Sequence, residues 1–429
     1  MRNLSYIFAA ICILSSCNHD KKIIVGTLYV DSLINNYTQP AVAANEADVE
    51  FWKTRIDPTK HGFTNELKYS SALAGRFALK GDIHDLKSAD SILQVIAKTY
   101  NYKEAAPFTS LIPRSISQHR FNEADTFLNK VKQIGIKPYD DASYSFDVNF
   151  ELGRYILATQ NLNKIRNDKD YGYQFRRSKL EHYKGNLDSA ISAMLDAASL
   201  AGNNPSIIAA ALSNAADLYL HAGNLEEAYK LYKKSVANYS GDLHSIMGIG
   251  WIALVHDKND SMARKIFLFV SAKTKAPDPV LKLSQAAELR DDTVSQKKYA
   301  QQFADIAGDS IYGTMYNKYL VELYTGILND PAKAEAIAKN EVSNRATPQT
   351  YAWYVWCLYF NNKKEEAYKV YGQWVSGKPL EGIELYWMGK FMKGLGKGYN
   401  AHEFFKAAEK NKYDLSPSMM TDLEGDLKE

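Results

Sequence analysis

The residues of this 429-residue chain that could do chemistry do not form an enzyme motif. Its nine histidines show no metal-ligand spacing, such as two histidines flanking a glutamate on one helix face. The run Gly394-Leu395-Gly396-Lys397-Gly398 is rich in glycine like a phosphate loop, but such a loop starting at Gly389 needs lysine where Leu395 stands. No G-x-S-x-G elbow for a nucleophilic serine occurs. The sequence therefore predicts no catalytic residue, no metal and no cofactor.

The three cysteines have different roles. Cys12 lies in an apolar N-terminal stretch, Cys17 follows that stretch, and Cys357 is alone in the remaining chain. A single thiol cannot form an internal disulfide or a metal cluster. Because Cys357 lies in an aromatic-rich segment, we expect it to be a small buried apolar residue.

The N-terminus has the features of a secretion signal. Arg2 supplies a positive charge, and the apolar run from Leu4 to Leu14 is too short to span a bilayer as a helix. The run ends in Leu14-Ser15-Ser16-Cys17, which resembles the bacterial lipobox. This resemblance implies cleavage before Cys17 and lipid attachment to its thiol. The sequence thus predicts a signal peptide at 1–16 and a lipidated tether at 17–40. An ordinary signal peptide and an uncleaved N-terminal anchor are the alternatives.

The residue after the cysteine bears on the membrane. Aspartate there retains lipoproteins in the inner membrane of some bacteria, and this chain has Asn18 instead. We therefore expect a protein of the cell envelope, lipid-anchored in the outer membrane, with its periplasmic or surface side left open. Lys and Arg number 52 against 49 Asp and Glu, which gives a net charge of +3. A charge so near zero gives no electrostatic reason to expect nucleic acid as a partner.

Residues 41–429 form short amphipathic segments separated by turns of Gly, Asn, Asp or Pro. In the clearest unit, 211–232, small Ala216 and Ala228, aromatic Tyr219 and Tyr232, and turn-forming Gly223 resemble the tetratricopeptide repeat in type and spacing. The resemblance implies an all-α, right-handed superhelical solenoid of about ten antiparallel helix pairs. We expect a capping helix over 41–56 ahead of the first pair.

A small residue where two helices cross allows them to approach closely, so the crossing alanine marks the repeat. Successive candidates are 32 to 38 residues apart, against about 34 for this repeat type. Ala89 and Ala300 fit the motif least well. The candidates for repeat packing are Ala89, Ala124, Ala158, Ala190, Ala228, Ala263, Ala300, Ala334, Ala367 and Ala401.

In this repeat family the first helix of each pair lines the concave face. Transferring those positions to the present chain implies two candidate binding surfaces, one aromatic and basic near the C-terminus and one near the middle. The same rings could instead pack between terminal repeats. The residues of the predicted binding face are Trp356, Tyr359, Phe360, Tyr386, Lys390, Lys393, Phe175, Lys179, His182 and Tyr183.

These features favour a non-enzymatic scaffold or adaptor that is tethered to the membrane through Cys17. Its concave face would hold an envelope protein or peptide. A glycan- or nutrient-binding lipoprotein of an outer-membrane uptake system is the alternative. Such lipoproteins usually carry a large irregular insertion, and no insertion of that size interrupts the repeats here. An enzyme hidden in the groove is the third interpretation.

Overall fold

The computed structural model describes residues 22–57, 59 and 62–428. The predicted signal peptide 1–16 and the predicted lipid site Cys17 lie outside the described residues. The described chain includes a π-helical turn, Tyr371–Val375, and a 3₁₀ turn, Lys412–Asp414. The α-helices are α1 Thr27–Asn35, α2 Pro40–Lys53, α3 Phe63–Lys80, α4 Ile83–Thr99, α5 Ala105–Ser117, α6 Phe121–Ile134, α7 Pro138–Glu151, α8 Tyr155–Lys164, α9 Tyr171–Tyr183, α10 Leu187–Leu200, α11 Pro205–His221, α12 Leu225–Asn238, α13 Leu243–Val255, α14 Asp260–Ser271, α15 Asp278–Glu288, α16 Thr293–Ala307, α17 Asn317–Thr325, α18 Pro331–Asn344, α19 Pro348–Phe360, α20 Lys364–Val370, α21 Gly382–Leu395, α22 Ala401–Lys410 and α23 Pro417–Asp426.

Consecutive helices pack in pairs, beginning with α3 and α4 and ending with α21 and α22. These ten pairs confirm the predicted all-α solenoid. Helix α2 packs on α3 ahead of the first pair, where the sequence predicts a capping helix. Within the described part of the chain, no helix is both long and apolar enough to cross a membrane.

Alanines lie where the two helices of most pairs cross. Ala190 and Ala228, each the fourth residue of its helix, are fully buried. The same position and burial are shared by Ala124, Ala158, Ala263, Ala334 and Ala367. A larger side chain would separate the helices, because protein interiors are close-packed.

Three of the candidates, Ala89, Ala300 and Ala401, differ from this register. Ala89 and Ala300 are fully buried but lie further along their helices, as the seventh residue of α4 and the eighth of α16. Ala401 is the first residue of α22 and is only partly buried, so it is not the crossing residue of its pair. Gly389 takes that role, because a Cβ atom there would lie 2.4 Å from the Phe405 ring. The turn after Gly396 is longer than the turn after Gly223, which shifts Ala401 out of register.

The turn and ring positions of the clearest unit explain its local geometry. Gly223 has φ +77°, a left-handed conformation that costs other residues energy. The next residue, Asn224, caps α12 by accepting the N–H of Glu227. Tyr232 fills the space towards the following pair, since a Cβ atom on Gly248 would lie 2.4 Å from its ring. The helix pair and its contact with the next pair are thus encoded within one repeat.

The superhelix closes on itself instead of leaving an open groove. The N–H of Lys275 donates to the carbonyl of Lys80 at 2.7 Å, and Lys275 forms an ion pair with Asp82. The side-chain amide of Asn344 donates to the carbonyl of His119 at 2.8 Å. These contacts join residues about two hundred positions apart, so one turn of the solenoid rests on the next. The concave face is therefore an interior.

The predicted tether 17–40 is a packed part of the fold from Ile24 onward. The carboxylate of Asp257 accepts the N–H groups of Ile24 and Val25 at 3.0 and 2.8 Å. Val25 and Val30 are buried in the same core as α13 and α14. The segment packs against the repeats because burial of these two valine side chains removes apolar surface from water.

Candidate functional site

The interior of the solenoid contains a cavity of about 490 Å³. Its walls come mainly from the first helices of five successive pairs, α9, α11, α13, α15 and α17, with Met194 of α10 and Tyr232 of α12. The segment before α21 and the 3₁₀ turn after α22 also reach it. A volume of this size suits a small molecule or a few residues of an extended segment. The side chains used below are Lys179, His182, Asn214, Asp217, His221, Tyr232, His244, Trp251, Asp278, Lys282, Lys318, Tyr319, Glu322, Glu381 and Asp414.

Asp217 of α11 connects two neighbouring helices through hydrogen bonds. Its carboxylate accepts from the hydroxyl of Tyr232 at 2.6 Å and contacts Nε2 of His244 at 2.8 Å. The negative charge of Asp217 raises the pKa of His244 to about 9, against the opposing effect of burial. His244 is therefore a cation at neutral pH.

Lys282 of α15 lies on the ring of Trp251. Its ammonium is 3.5 Å from the ring centroid and donates to Oε1 of Gln285 at 3.1 Å. Burial lowers the pKa of Lys282 to about 8. The indole N–H of Trp251 donates to the carbonyl of Tyr413 at 2.8 Å. The tryptophan is thus held in place at its edge and covered on its face.

Helix α17 supplies one cation and one anion to the cavity. Burial raises the pKa of Glu322 to about 7, and the nearby carboxylate of Glu288 adds to the effect. Burial opposes the charge of Lys318, but the carboxylates of Glu384 and Glu381 outweigh burial and raise the pKa of Lys318. The ammonium of Lys318 is 3.1 Å from Oε1 of Glu384, so Lys318 is ion-paired. Glu322 is partly protonated near neutral pH, because its pKa is raised to about 7.

The C-terminal part of the chain closes one side of the cavity. Nδ1 of His221 lies 2.5 Å from the carboxylate of Asp414, and Nδ2 of Asn411 donates to the carbonyl of His221 at 3.1 Å. These residues are about 190 positions apart in sequence. Sequence reasoning missed this contact, because no local pattern indicates which turn of a superhelix meets which.

A second cavity, of about 240 Å³, adjoins the first and shares Lys179, His182, Lys318 and Glu381 with it. Lys179 pairs with Glu151 at 2.7 Å. Of the four residues predicted near the middle of the chain, Lys179 and His182 therefore border both cavities. Tyr183 borders the smaller one, where its ring stacks on Tyr155. Phe175 packs in the apolar core beside α10.

The aromatic residues predicted near the C-terminus mainly pack against one another. Trp356 is buried, its ring is parallel to that of Trp387, and its N–H donates to Oγ1 of Thr325 at 3.1 Å. Tyr359 stacks on Trp356, and Phe360 meets Trp356 edge-on. Trp356 and Tyr359 thus stabilise the last repeats, and only the ring of Phe360 is exposed among these three.

The basic part of that predicted face is covered by α23. Asp422 accepts a hydrogen bond from the hydroxyl of Tyr386 and pairs with Lys390, both at 2.5 Å. The buried carboxylate of Asp426 pairs with Lys390 and Lys393 at 3.0 and 2.6 Å. The C-terminal helix thus occupies the surface predicted for a partner, because its two aspartates match the two lysines. The free part of the concave face is the central cavity.

Other candidate chemistry is limited in the described residues. Cys357 is buried, and burial raises the pKa of its thiol, so it is a packing residue. Within the same part of the chain, no group of three or more His, Cys, Asp or Glu side chains is placed to hold a metal ion.

Comparison with solved structures finds distant likenesses. No family model and no curated protein matches the sequence. A tetratricopeptide repeat protein from Parabacteroides merdae is 15% identical and covers 68% of this chain and 99% of its own, with a TM-score of 0.34. The C-terminal part of a repeat protein from Cytophaga hutchinsonii is 18% identical, covers 61% and 98%, and gives 0.33. PilF of Pseudomonas aeruginosa is 14% identical, covers 51% and 97%, and gives 0.37. The present chain is a tetratricopeptide-like α-solenoid, as its own helix pairs show.

Proposed function

We propose that this protein is a lipid-anchored scaffold of the cell envelope that holds a segment of a partner protein in the interior of its solenoid. The observation that carries the proposal is the convergence of five first helices on one charged cavity. Charged and hydrogen-bonding groups distributed along a concave wall suit the varied side chains and backbone of a polypeptide.

The side chains of the cavity favour binding over catalysis. Ser178 donates its hydroxyl to the carbonyl of Ala190, and Tyr232 donates its hydroxyl to Asp217. A nucleophilic serine needs an adjacent base as hydrogen-bond partner, and Ser178 donates to a backbone carbonyl instead. The bond from Tyr232 to Asp217 joins helices α12 and α11 of the wall. The role proposed is therefore non-enzymatic.

The geometry also favours a polypeptide over a glycan. Sugar-binding sites commonly present an open aromatic face for stacking. At Trp251 the ammonium of Lys282 occupies that position, 3.5 Å from the ring centroid. Uptake of an oligosaccharide is accordingly the second choice.

A matched pair of substitutions tests the use of the cavity. Asn214 borders the cavity, Asn238 lies on the exposed side of α12, and each donates its side-chain amide to the carbonyl four residues earlier. Asn214→Trp should fill the cavity, whereas Asn238→Trp should leave it open. Both variants are purified from the native membrane, and the co-purified proteins are quantified by mass spectrometry. We expect a partner that Asn238→Trp retains and Asn214→Trp loses. Equal retention by both folded variants would refute binding in the cavity.

Anchoring is tested separately. We expect labelled palmitate to be incorporated into the wild-type protein and not into the Cys17→Ser variant, which should leave the membrane fraction. Label on both proteins, or on neither, would contradict lipid attachment at Cys17.

A further inference from the structure

The two interior cavities form one acidic site in a protein whose net charge is slightly positive. They share four lining residues and therefore adjoin along the interior of the solenoid. Their walls carry four Lys or Arg side chains, the protonated His244 and seven carboxylates, whereas the whole chain has a net charge of +3. The carboxylates are those of Glu151, Asp217, Asp278, Glu322, Glu381, Glu384 and Asp414.

The cations of this site already have partners. Lys179 pairs with Glu151 at 2.7 Å, Lys318 with Glu384 at 3.1 Å, and Arg345 with Glu341 at 3.0 Å. Lys282 lies on the ring of Trp251, and protonated His244 contacts the carboxylate of Asp217 at 2.8 Å. None of these cations is free to bind an additional anion without losing a contact.

Several acceptors lack partners. Among the described residues, the carboxylates of Glu322 and Glu381 have no hydrogen bond and no ion pair, although Lys282 and Lys318 influence Glu322 at longer range. Glu384 is only 1% exposed, and its Oε2 atom accepts no hydrogen bond while Oε1 accepts from Lys318 and Trp353. Nε2 of His182 is also buried without a partner. Burying such groups costs free energy unless a donor satisfies them.

The missing partner is therefore rich in N–H donors and positively charged. We propose that the interior site takes an organic cation, a lysine or arginine side chain presented by a partner segment, with Glu322 and Glu381 as its acceptors. This inference rests on the proposed function and names the chemistry of the segment that would be bound. Charge-assisted hydrogen bonds of this kind are stronger than neutral ones, which gives selectivity for basic segments.

Isothermal titration calorimetry tests the inference with defined probes and the purified full chain. The probes are acetyl-tetralysine amide, acetyl-tetraglutamate amide and spermidine. We expect tetralysine to bind and tetraglutamate not to bind. Spermidine tests whether a free polyamine can supply the same cation: binding of spermidine alone would keep the acidic site but assign it to a polyamine.

Two conservative variants and one control locate the binding. Glu322→Gln and Glu381→Gln keep the shape of the side chains and remove the charges, so together they should weaken tetralysine binding at least tenfold. Glu365→Gln, on the exposed side of α20, should leave the affinity unchanged. Melting curves check that all three variants are folded.

The contrary results are equally defined. Failure of both cationic probes to bind, binding of tetraglutamate as strong as that of tetralysine, or an affinity unaffected by the double variant would overturn the inference. If the cationic probes fail while Asn214→Trp still abolishes partner capture, the inference alone is refuted. If Asn214→Trp captures the partner normally, the proposed function fails as well.

Discussion

The attachment of the N-terminal segment depends on one buried carboxylate. Asp257 accepts two backbone N–H groups from residues 24 and 25, and its side chain is 2% exposed. In Asp257→Ala both donors lose their acceptor, and each lost hydrogen bond to a buried group costs about 1–3 kcal/mol. We therefore expect the docked segment to be less stable by about 2–4 kcal/mol, which corresponds to roughly thirtyfold or more frequent local opening.

Hydrogen exchange measured by mass spectrometry reports this opening directly. Amides of residues 24–34 should exchange faster in Asp257→Ala, while helices of the central repeats keep their protection. Burial of Val25 and Val30 should still hold the segment in place most of the time. The global melting temperature should therefore change little.

A second substitution in the same segment is the control. Asp31 forms an exposed ion pair with Lys265, which contributes at most about 1 kcal/mol. Asp31→Ala should leave exchange at residues 24–34 nearly unchanged. The reasoning is refuted if exchange in Asp257→Ala equals that of the wild type, or if Asp31→Ala has the larger effect.

Three further predictions concern packing and charge. Ala228→Leu should overpack the crossing of α11 and α12 and lower the free energy of unfolding by about 1–3 kcal/mol in a denaturant titration. The control Ala237→Leu, on the exposed side of α12, should lower it little. Equal stability of the two variants would contradict the assigned register. Asp217 raises the pKa of His244 to about 9, so their pair should stabilise the fold fully below about pH 6.5 and lose its effect as the pH rises through 9. The stability difference between the wild type and His244→Asn should therefore shrink over this range. A difference that does not shrink would exclude the pair. Asp426→Ala should weaken the attachment of α23 by about 2 kcal/mol, which faster hydrogen exchange in residues 417–426 would reveal. Unchanged exchange there would show that Lys390 and Lys393 do not hold the helix.

The repeat architecture could be predicted from the sequence because its signals are local. Gly223, Ala228 and Tyr232 act within one helix pair or on the next pair, so their spacing is visible in the chain. Ala401 follows Gly396 at the same spacing as Ala228 follows Gly223, but α22 begins only at Ala401 whereas α12 begins at Leu225, so the register failed there. A spacing rule assumes turns of constant length and cannot detect such a shift.

The proposed binding surface was only partly predictable, because it depends on contacts between distant parts of the chain. Lys179 and His182 border the interior, as expected for the first helix of a repeat. The burial of Lys390 under α23 depends on aspartates more than thirty residues later, and no periodicity identifies that pairing. Closure of the cavity by residues 411–414 has the same origin.

The most direct test of the central claim is photo-crosslinking from inside the solenoid. A benzoylphenylalanine at Tyr319, which faces the cavity, is compared with one at Tyr368, an exposed tyrosine on α20 that does not border the cavity. Cells are irradiated, and covalent adducts are purified and identified by mass spectrometry. Binding in the interior predicts a discrete protein adduct from position 319 and none from position 368. An adduct from position 368 alone, or the same adducts from both positions, would contradict the claim.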